Sequence, residues 1–230
     1  ALAQAMGRDG RLPGLAVFYG PAGSGKTLAA KQASETLNAL YIQAWPVWTQ
    51  RALLEALATP LNITLKARTV TALLTQVIEA LKADPRPLII DEMDHVVKKG
   101  LVEIIRTLHD TTGVPILLVG EEALPARLKI WDRFHSRILS FTPTVPANLD
   151  DARHLAQAYV DGLQVDDDLL DYFLSISKGN IRRLSINLAH ASAQARAEGV
   201  EHLNRAWWGH RIVYTGQAPK VARDRRGVGL

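Results

Sequence analysis

Short apolar runs alternate along the chain with longer segments whose apolar residues recur every three or four positions. Leu15–Tyr19 reads as a first strand, and Thr27 to about Leu37 as the helix that follows it. Leu40–Ala44 reads as a second strand. Two helices come next: Thr49–Ala58, with Leu53, Leu54 and Leu57 on one face, and Thr69–Ala83, with Val70, Leu73, Leu74, Val77, Ile78 and Leu81 at helical spacing. Pro85 and Pro87 stop the second of them. Pro87–Glu92 is apolar without alternation and ends in two acids, the pattern of a strand buried on both faces. Gly100–His109 is expected to be a helix with Leu101, Ile104, Ile105 and Leu108 inward. Val114–Gly120 is a fourth strand, Glu121–Trp131 a helix weakened at Pro125, and Ile138–Phe141 a fifth strand. This alternation predicts a three-layer α/β fold on a parallel five-stranded sheet.

The pattern changes at Thr142-Pro143-Thr144-Val145-Pro146. Beyond it no strand is predicted, only helices over Asn148–Gly162, Asp166–Ser177, Gly179–Glu198 and Glu201–Val213. The expected organisation is an α/β domain over 1–146, an all-α domain over 147–216 and a loose basic tail over 217–230, with Lys220, Arg223, Arg225 and Arg226. Near the start, Arg8–Pro13 reads as a polar lead-in broken by Gly7, Gly10 and Gly14.

Composition narrows the classes. No apolar run approaches the ~20 residues needed to span a bilayer, so no membrane partner is expected. The first residues lack a signal peptide's order and an initiator Met, so the chain is expected to be trimmed or a fragment. The absence of cysteine excludes disulfides and thiolate metal sites, which fits a cytoplasmic protein, or one of the host cytoplasm if phage-encoded. A net charge of +4 is compatible with a polyanionic partner and with ordinary solubility.

Between the first strand and its helix lies Gly20-Pro21-Ala22-Gly23-Ser24-Gly25-Lys26-Thr27, which fits G-x-x-x-x-G-K-[ST] at every fixed position. Glycines allow a tight turn, successive backbone N–H groups ring an anion, and the helix beginning near Gly25 adds its positive end. Gly20 to Leu28 are therefore the nucleotide-binding candidates, with Lys26 on the β- and γ-phosphates and Thr27 on Mg²⁺. Asp91 and Glu92 end a buried strand, where ligands of open α/β sheets sit. Asp91 is placed to hold Mg²⁺ through water, and Glu92 to polarise the attacking water. Asp94 and His95 read as a surface turn, or as support for those acids. Arg137 lies just before the fifth strand. It reads as a basic surface turn in a monomer, and as a cation facing the neighbour's nucleotide in a ring or filament ATPase; Arg133 is the alternative. Arg182, at a helix start in Gly179-Asn180-Ile181-Arg182-Arg183, is placed to reach the γ-phosphate and couple domain closure to ATP.

Phosphate loop, Asp-Glu strand end, late arginine and Gly-x-x-Arg together resemble the AAA+ ATPases over about Leu15 to Ile212. Within that superfamily the chain most resembles the transposition ATPases typified by the B protein of bacteriophage Mu. Leu88–His95, Val114–Gly120 and Arg133–Ile138 carry that likeness, and Asp-Glu-x-Asp-His also occurs in other AAA+ relatives, including secretion-associated ones. The resemblance implies an AAA+ domain with a helical lid and an ATP- and Mg²⁺-dependent ATPase. It also implies nonspecific binding of double-stranded DNA, self-assembly into a ring or helical filament, and delivery of target DNA to a transposase. There are two departures. The Mu protein's helix-turn-helix domain has no room here. The polar sensor after the fourth strand, commonly Asn or Thr, is replaced: Gly120 is followed by Glu121, whose charge would repel a γ-phosphate unless protonated or turned to the metal. Slow hydrolysis is expected, and a sensor role for Glu121 stays open.

For DNA, Lys98 and Lys99 are expected in a loop after the Asp-Glu pair, with Arg127, Lys129, Arg205, Arg211 and the tail as further backbone-contact candidates. Of Trp207 and Trp208, one is expected in the lid core rather than as half of a base-stacking pair. Other AAA+ tasks (helicase loading, replication initiation, secretion) and a weakly hydrolysing ATP-gated scaffold remain as alternatives.

Overall fold

A computed structural model describes residues 1–217. The chain falls into two compact units, one of Ala1–Val145 and one from Pro146 onward. The predicted basic tail, with Lys220, Arg223, Arg225 and Arg226, lies outside the described residues.

The first unit runs α1 (Leu2–Met6), β1 (Leu15–Tyr19), α2 (Lys26–Thr36), β2 (Leu40–Gln43), α3 (Gln50–Ala58), α4 (Val70–Ala83) and β3 (Leu88–Asp91). It continues with α5 (Met93–Lys98), α6 (Val102–Thr112), β4 (Ile116–Gly120), α7 (Leu124–Leu128), α8 (Asp132–His135) and β5 (Ile138–Pro143). Its five strands are all parallel, in the order β2-β3-β4-β1-β5. This is the sheet the apolar runs predict. Alternation along the strands sorts the core. Leu15, Val17, Leu88, Ile90, Ile116 and Leu118 face one layer with residues of α3 to α8, while Ala16, Ile89, Leu117 and Val119 face the other with Leu2, Ala5 and Ala30. Helices therefore cover both faces, and the central strands show no polar alternation for that reason.

Several predicted elements differ. Three short helices were not predicted: α1 in an alanine-rich start, α5 directly after Glu92, and α8 just past Trp131. Lys98 thus ends a helix and Lys99 caps it, where a loop was expected. The helix expected at Gly100–His109 spans Val102–Thr112 instead and stops at Gly113 in a left-handed turn. The helix expected over Glu121–Trp131 is confined to α7, with Pro125 in its first turn where no N–H is needed.

The second unit comprises α9 (Leu149–Tyr159), β6 (Gln164–Val165), α10 (Asp167–Ser177), α11 (Ile181–Glu198), β7 (His202–Leu203) and α12 (Arg205–Trp208). Asn148 and Asp151 form a reciprocal capping box on α9. The expectation of no further strand is overturned by the parallel pair β6–β7. With two residues each, these strands are too short to leave a period in the sequence. The helix expected over Glu201–Val213 is confined to α12, because Leu203 is drawn into the strand pair and Gly209 ends the turn. Trp208 fills the core edge-on to Phe173, with ring centroids 5.1 Å apart. Arg205 lies 3.8 Å from the centre of the Tyr172 ring. Arg211 stacks on Trp207 and pairs with Glu198 at 2.7 Å. Hydrogen bonds from Gln194, Arg211 and Trp207 hold the Glu198 carboxyl down at about 2. Both arginines read as DNA candidates are thus committed within their own unit.

One residue ties the first unit together at the starts of its strands. His109, buried at the end of α6, accepts the Gly14 N–H on Nε2 at 3.2 Å and donates from Nδ1 to the Val114 carbonyl at 2.9 Å. That pattern assigns the neutral Nδ1–H tautomer. Burial pushes its pKa below 6.5, and the nearby Arg8 and Arg137 charges add to this against the Val114 bond and Asp110. The unfolded imidazole then takes up a proton below about pH 6.5 while the folded one resists, so the associated stability is present above pH ~6.5 and declines as pH falls. His109→Ala is expected to cost about 1–3 kcal/mol for each backbone group left unpaired. It should also flatten the fall of the melting midpoint between pH 7.5 and pH 5. An unchanged slope in the variant, followed by circular dichroism, would refute the assignment.

Candidate nucleotide-binding site

The C-terminal ends of β1, β4 and β3 converge. The Gly20 N–H donates to the Gly120 carbonyl at 3.3 Å, which joins the loop after β1 to the end of β4. The loop then winds through Gly23 and Gly25, at φ 80° and 86°, a conformation that a side chain disfavours. Gly25 caps α2, so the helix opens at Lys26 with its unsatisfied N–H groups and positive end beside the loop. This is an anion cradle made of backbone. Pro21, Ala22 and Leu28 are exposed, and Gly23, Ser24, Gly25, Lys26 and Thr27 are half-buried. Ser24 Oγ donates to the Pro21 carbonyl at 2.8 Å and stiffens the turn.

Lys26 folds over its own loop. Its Nζ donates to the carbonyls of Gly20 at 2.8 Å and Pro21 at 2.9 Å. Burial lowers its pKa, and the field of Glu92, Asp91, Glu121 and Asp94 partly opposes that. The four acids are therefore close enough to act on the ammonium, which stands where a phosphate would pair with it.

Asp91 ends β3 and is only 2% exposed. Its Oδ1 accepts the Glu92 N–H at 2.8 Å, and its Oδ2 accepts the Tyr41 hydroxyl at 2.9 Å. Burial and Asp91 together push the Tyr41 pKa upward, so the phenol remains a donor. Glu92 is half-buried at φ 55°, ψ 39°, left-handed backbone that costs a non-glycine residue about 1–3 kcal/mol. The kink turns the chain from β3 into α5. The oxygen donors Thr27 and Asp91 suit Mg²⁺. Among the described residues no cluster of three or more His, Cys, Asp or Glu could hold a metal ion.

Asp94 is not on a surface turn. It lies in α5, 2% exposed, where Oδ2 accepts the Glu121 N–H at 2.6 Å and Oδ1 pairs with Arg127. A Cβ at Gly120 would run into the Asp94 carboxylate, so glycine there is what lets α5 close on the end of β4. Arg127 also lies 3.4 Å from Glu121 Oε2. It neutralises a buried acid, which overturns its reading as a free cation for DNA. Glu121 meets Asp94 through its backbone and leaves its side chain 54% exposed beside Arg127. His95 is half-buried, and Lys98, Lys99 and Lys129 are exposed.

Arg137 is not at this end of the sheet. Its carbonyl accepts the Leu15 N–H, at the start of β1. Five strand residues separate that level from the phosphate loop, about 16 Å. Its guanidinium grips Asp110 from Nε at 3.1 Å and Nη2 at 3.2 Å, and Arg133 contributes its carbonyl to the same cluster. Arg182 is an exposed residue in the first turn of α11, which Asn180 caps.

Sequence reasoning did not find Tyr41, or the burial of Asp94. Tyr41 looks like one more core aromatic until the β2–β3 register is known. Asp94 carries a signal in its spacing: three residues past Asp91, on a turn free of Gly and Pro, it lies within one helical turn of the site.

The profile of the family described as AAA domain matches residues 9–128, more than half of the chain. No curated protein sequence matches. Among solved structures, the chain is similar to the Aeropyrum pernix ORC2 protein in its ADPNP-ADP complexes (TM-score 0.64, 16% identity, 85% of this chain and 60% of that one). It is similar to the Aeropyrum pernix ORC1 protein in complex with DNA (0.60, 20% identity, 89% and 60%). A third is the Thermotoga maritima RuvB Holliday junction branch migration motor (0.60, 16% identity, 89% and 62%). The chain spans about three fifths of the length of these structures, and at such identities the likeness is one of fold.

Proposed function

The chain belongs to the AAA domain family, and on that footing we propose that it is a Mg²⁺-dependent ATPase that binds duplex DNA without sequence preference, assembles on it, and presents it to a transposase. The observation that carries the ATPase part is the meeting of Lys26 with Asp91 and Glu92 around one loop. In this reading the Gly20–Leu28 loop holds the phosphates and Thr27 and Asp91 hold Mg²⁺, which supplies charge neutralisation at the phosphates. Glu92 orients and polarises the attacking water. Glu121 lies 3.4 Å from Arg127, a cation that offsets part of its charge near the phosphates.

The DNA part is supported by relatives of the same fold, ORC1 crystallised with DNA and the RuvB branch migration motor. Exposed Lys98, Lys99 and Lys129 are the remaining backbone-contact candidates among the described residues. The transposase part is supported by the sequence resemblance alone. The same fold similarity favours a second reading, an initiator or junction-processing ATPase.

With ATP, binding to random duplex DNA is expected to weaken steeply with salt, falling at least tenfold between 50 and 200 mM, and to yield filaments in electron micrographs. Binding only to a defined origin or a four-way junction would favour the second reading. No ATP-dependent, salt-sensitive binding to duplex DNA would sink the first.

A further inference from the structure

We infer that Tyr41 is a positioning residue for the metal-side acid of the ATPase site, acting through its hydroxyl on Asp91. The inference rests on the hydrolysis reading above and names a residue that reading does not use. Its basis is register. In the parallel β2–β3 pair, Tyr41 stands beside Ile89 and Gln43 beside Asp91. Side chains alternate along a strand, so 41 and 43 on β2 share a face with 89 and 91 on β3. Tyr41 and Asp91 are then diagonal neighbours, a separation that a long aromatic side chain spans and a short one does not. The phenol uses that reach to donate to Oδ2 at 2.9 Å, while the Glu92 N–H donates to Oδ1 at 2.8 Å. Each carboxylate oxygen thus has a donor from within the fold. A carboxylate held at both oxygens cannot swing about χ2, so its remaining lone pairs keep one direction.

Tyr41 is itself fixed. Its ring packs with Ala33, Leu37 and Ala39 against the Ala16, Ile89 and Val119 layer, and Lys31 Nζ lies 5.9 Å from the ring centre. Lys31 belongs to α2, the helix that opens with Lys26 and Thr27. One side chain therefore links the phosphate-loop helix to the acid at the end of β3. Donors behind a metal-binding carboxylate set its direction, and their loss commonly weakens metal binding by one to two orders of magnitude.

Tyr41→Phe keeps the ring and removes only the donor. Binding of a fluorescent ATP analogue to the full chain, titrated with Mg²⁺, is expected to show the Mg²⁺ half-saturation point rising about tenfold. Affinity without Mg²⁺ should stay at the wild-type value while the melting midpoint falls modestly, because the buried Asp91 carboxylate loses a donor; a packing role alone would not produce the Mg²⁺-specific shift. In an Asp91→Asn background the same change should add less than a twofold shift, because the shared interaction is already altered. A half-saturation point within twofold of wild type in Tyr41→Phe, or a full independent shift in the double variant, overturns the assignment. If the wild type itself binds the analogue without regard to Mg²⁺, the hydrolysis reading falls and this one with it. If only the variant comparison fails, the hydrolysis reading stands.

Discussion

Glu92→Gln is expected to lower ATP turnover by about 10²–10⁴-fold while leaving ATP binding within a factor of about three, because the amide keeps the shape of the side chain and loses its basicity. The backbone makes this a clean substitution. Glu92 holds left-handed geometry at φ 55° through its N–H bond to Asp91 and its place at the head of α5, and neither depends on the carboxylate. Single-turnover hydrolysis beside equilibrium binding separates the two effects. If turnover is unchanged, another group activates the water. Glu121 is the acid to examine next, since it also acts on Lys26.

Arg137→Ala should abolish most turnover, by about 10³-fold or more, with ATP binding retained. The structure sharpens this expectation. Arg137 lies at the start of β1 and β5, about 16 Å along the strands from its own phosphate loop, so under the proposed reading its phosphate would be one bound by another subunit. In the single chain it is held by Asp110, a partly exposed pair worth at most about 1 kcal/mol, which a neighbour's triphosphate can outcompete. Mixing Arg137→Ala with Lys26→Ala is expected to restore part of the activity, because a mixed interface then contains one intact loop and one intact arginine. Absence of rescue at concentrations where the wild type assembles would argue against action in trans. A melting midpoint within a few degrees of wild type for Arg137→Ala would show that the loss is not one of folding.

Much of the α/β unit was legible because its signals are local. A strand buried on both faces is apolar throughout, the phosphate loop needs glycines at fixed spacing, and Leu53, Leu54, Leu57 or Leu73, Val77, Leu81 mark helix faces that must be buried. What was misread is either short or set by a partner distant in sequence. β6 and β7 have two residues each and exist because Gln164–Val165 meets His202–Leu203. The helix expected over Glu201–Val213 gave way to that pairing. Lys98 and Lys99 read as loop residues between the Asp-Glu pair and the next predicted helix, yet Met93, Val96 and Val97 are buried as one face of a helix.

The candidate site divides the same way. The residue types at Gly20–Thr27 and the Asp91-Glu92 pair are written in the sequence, because binding a phosphate and ending a buried strand in acids are demands on consecutive residues. The directions of those side chains are not. Strand order brings the ends of β1, β4 and β3 together. The β2–β3 register brings the Tyr41 hydroxyl to Asp91, and the closure of α5 on Gly120 buries Asp94 against Arg127. Placement of Arg137 at the far end of the sheet likewise follows from the parallel pairing of β5 with β1. By itself the sequence determined the family, the sheet and the glycine-rich loop of the candidate site. Only the tertiary structure decided which acids are held, by which donors, and which arginines are already spent, because those outcomes depend on residues 27 to 50 positions apart becoming neighbours.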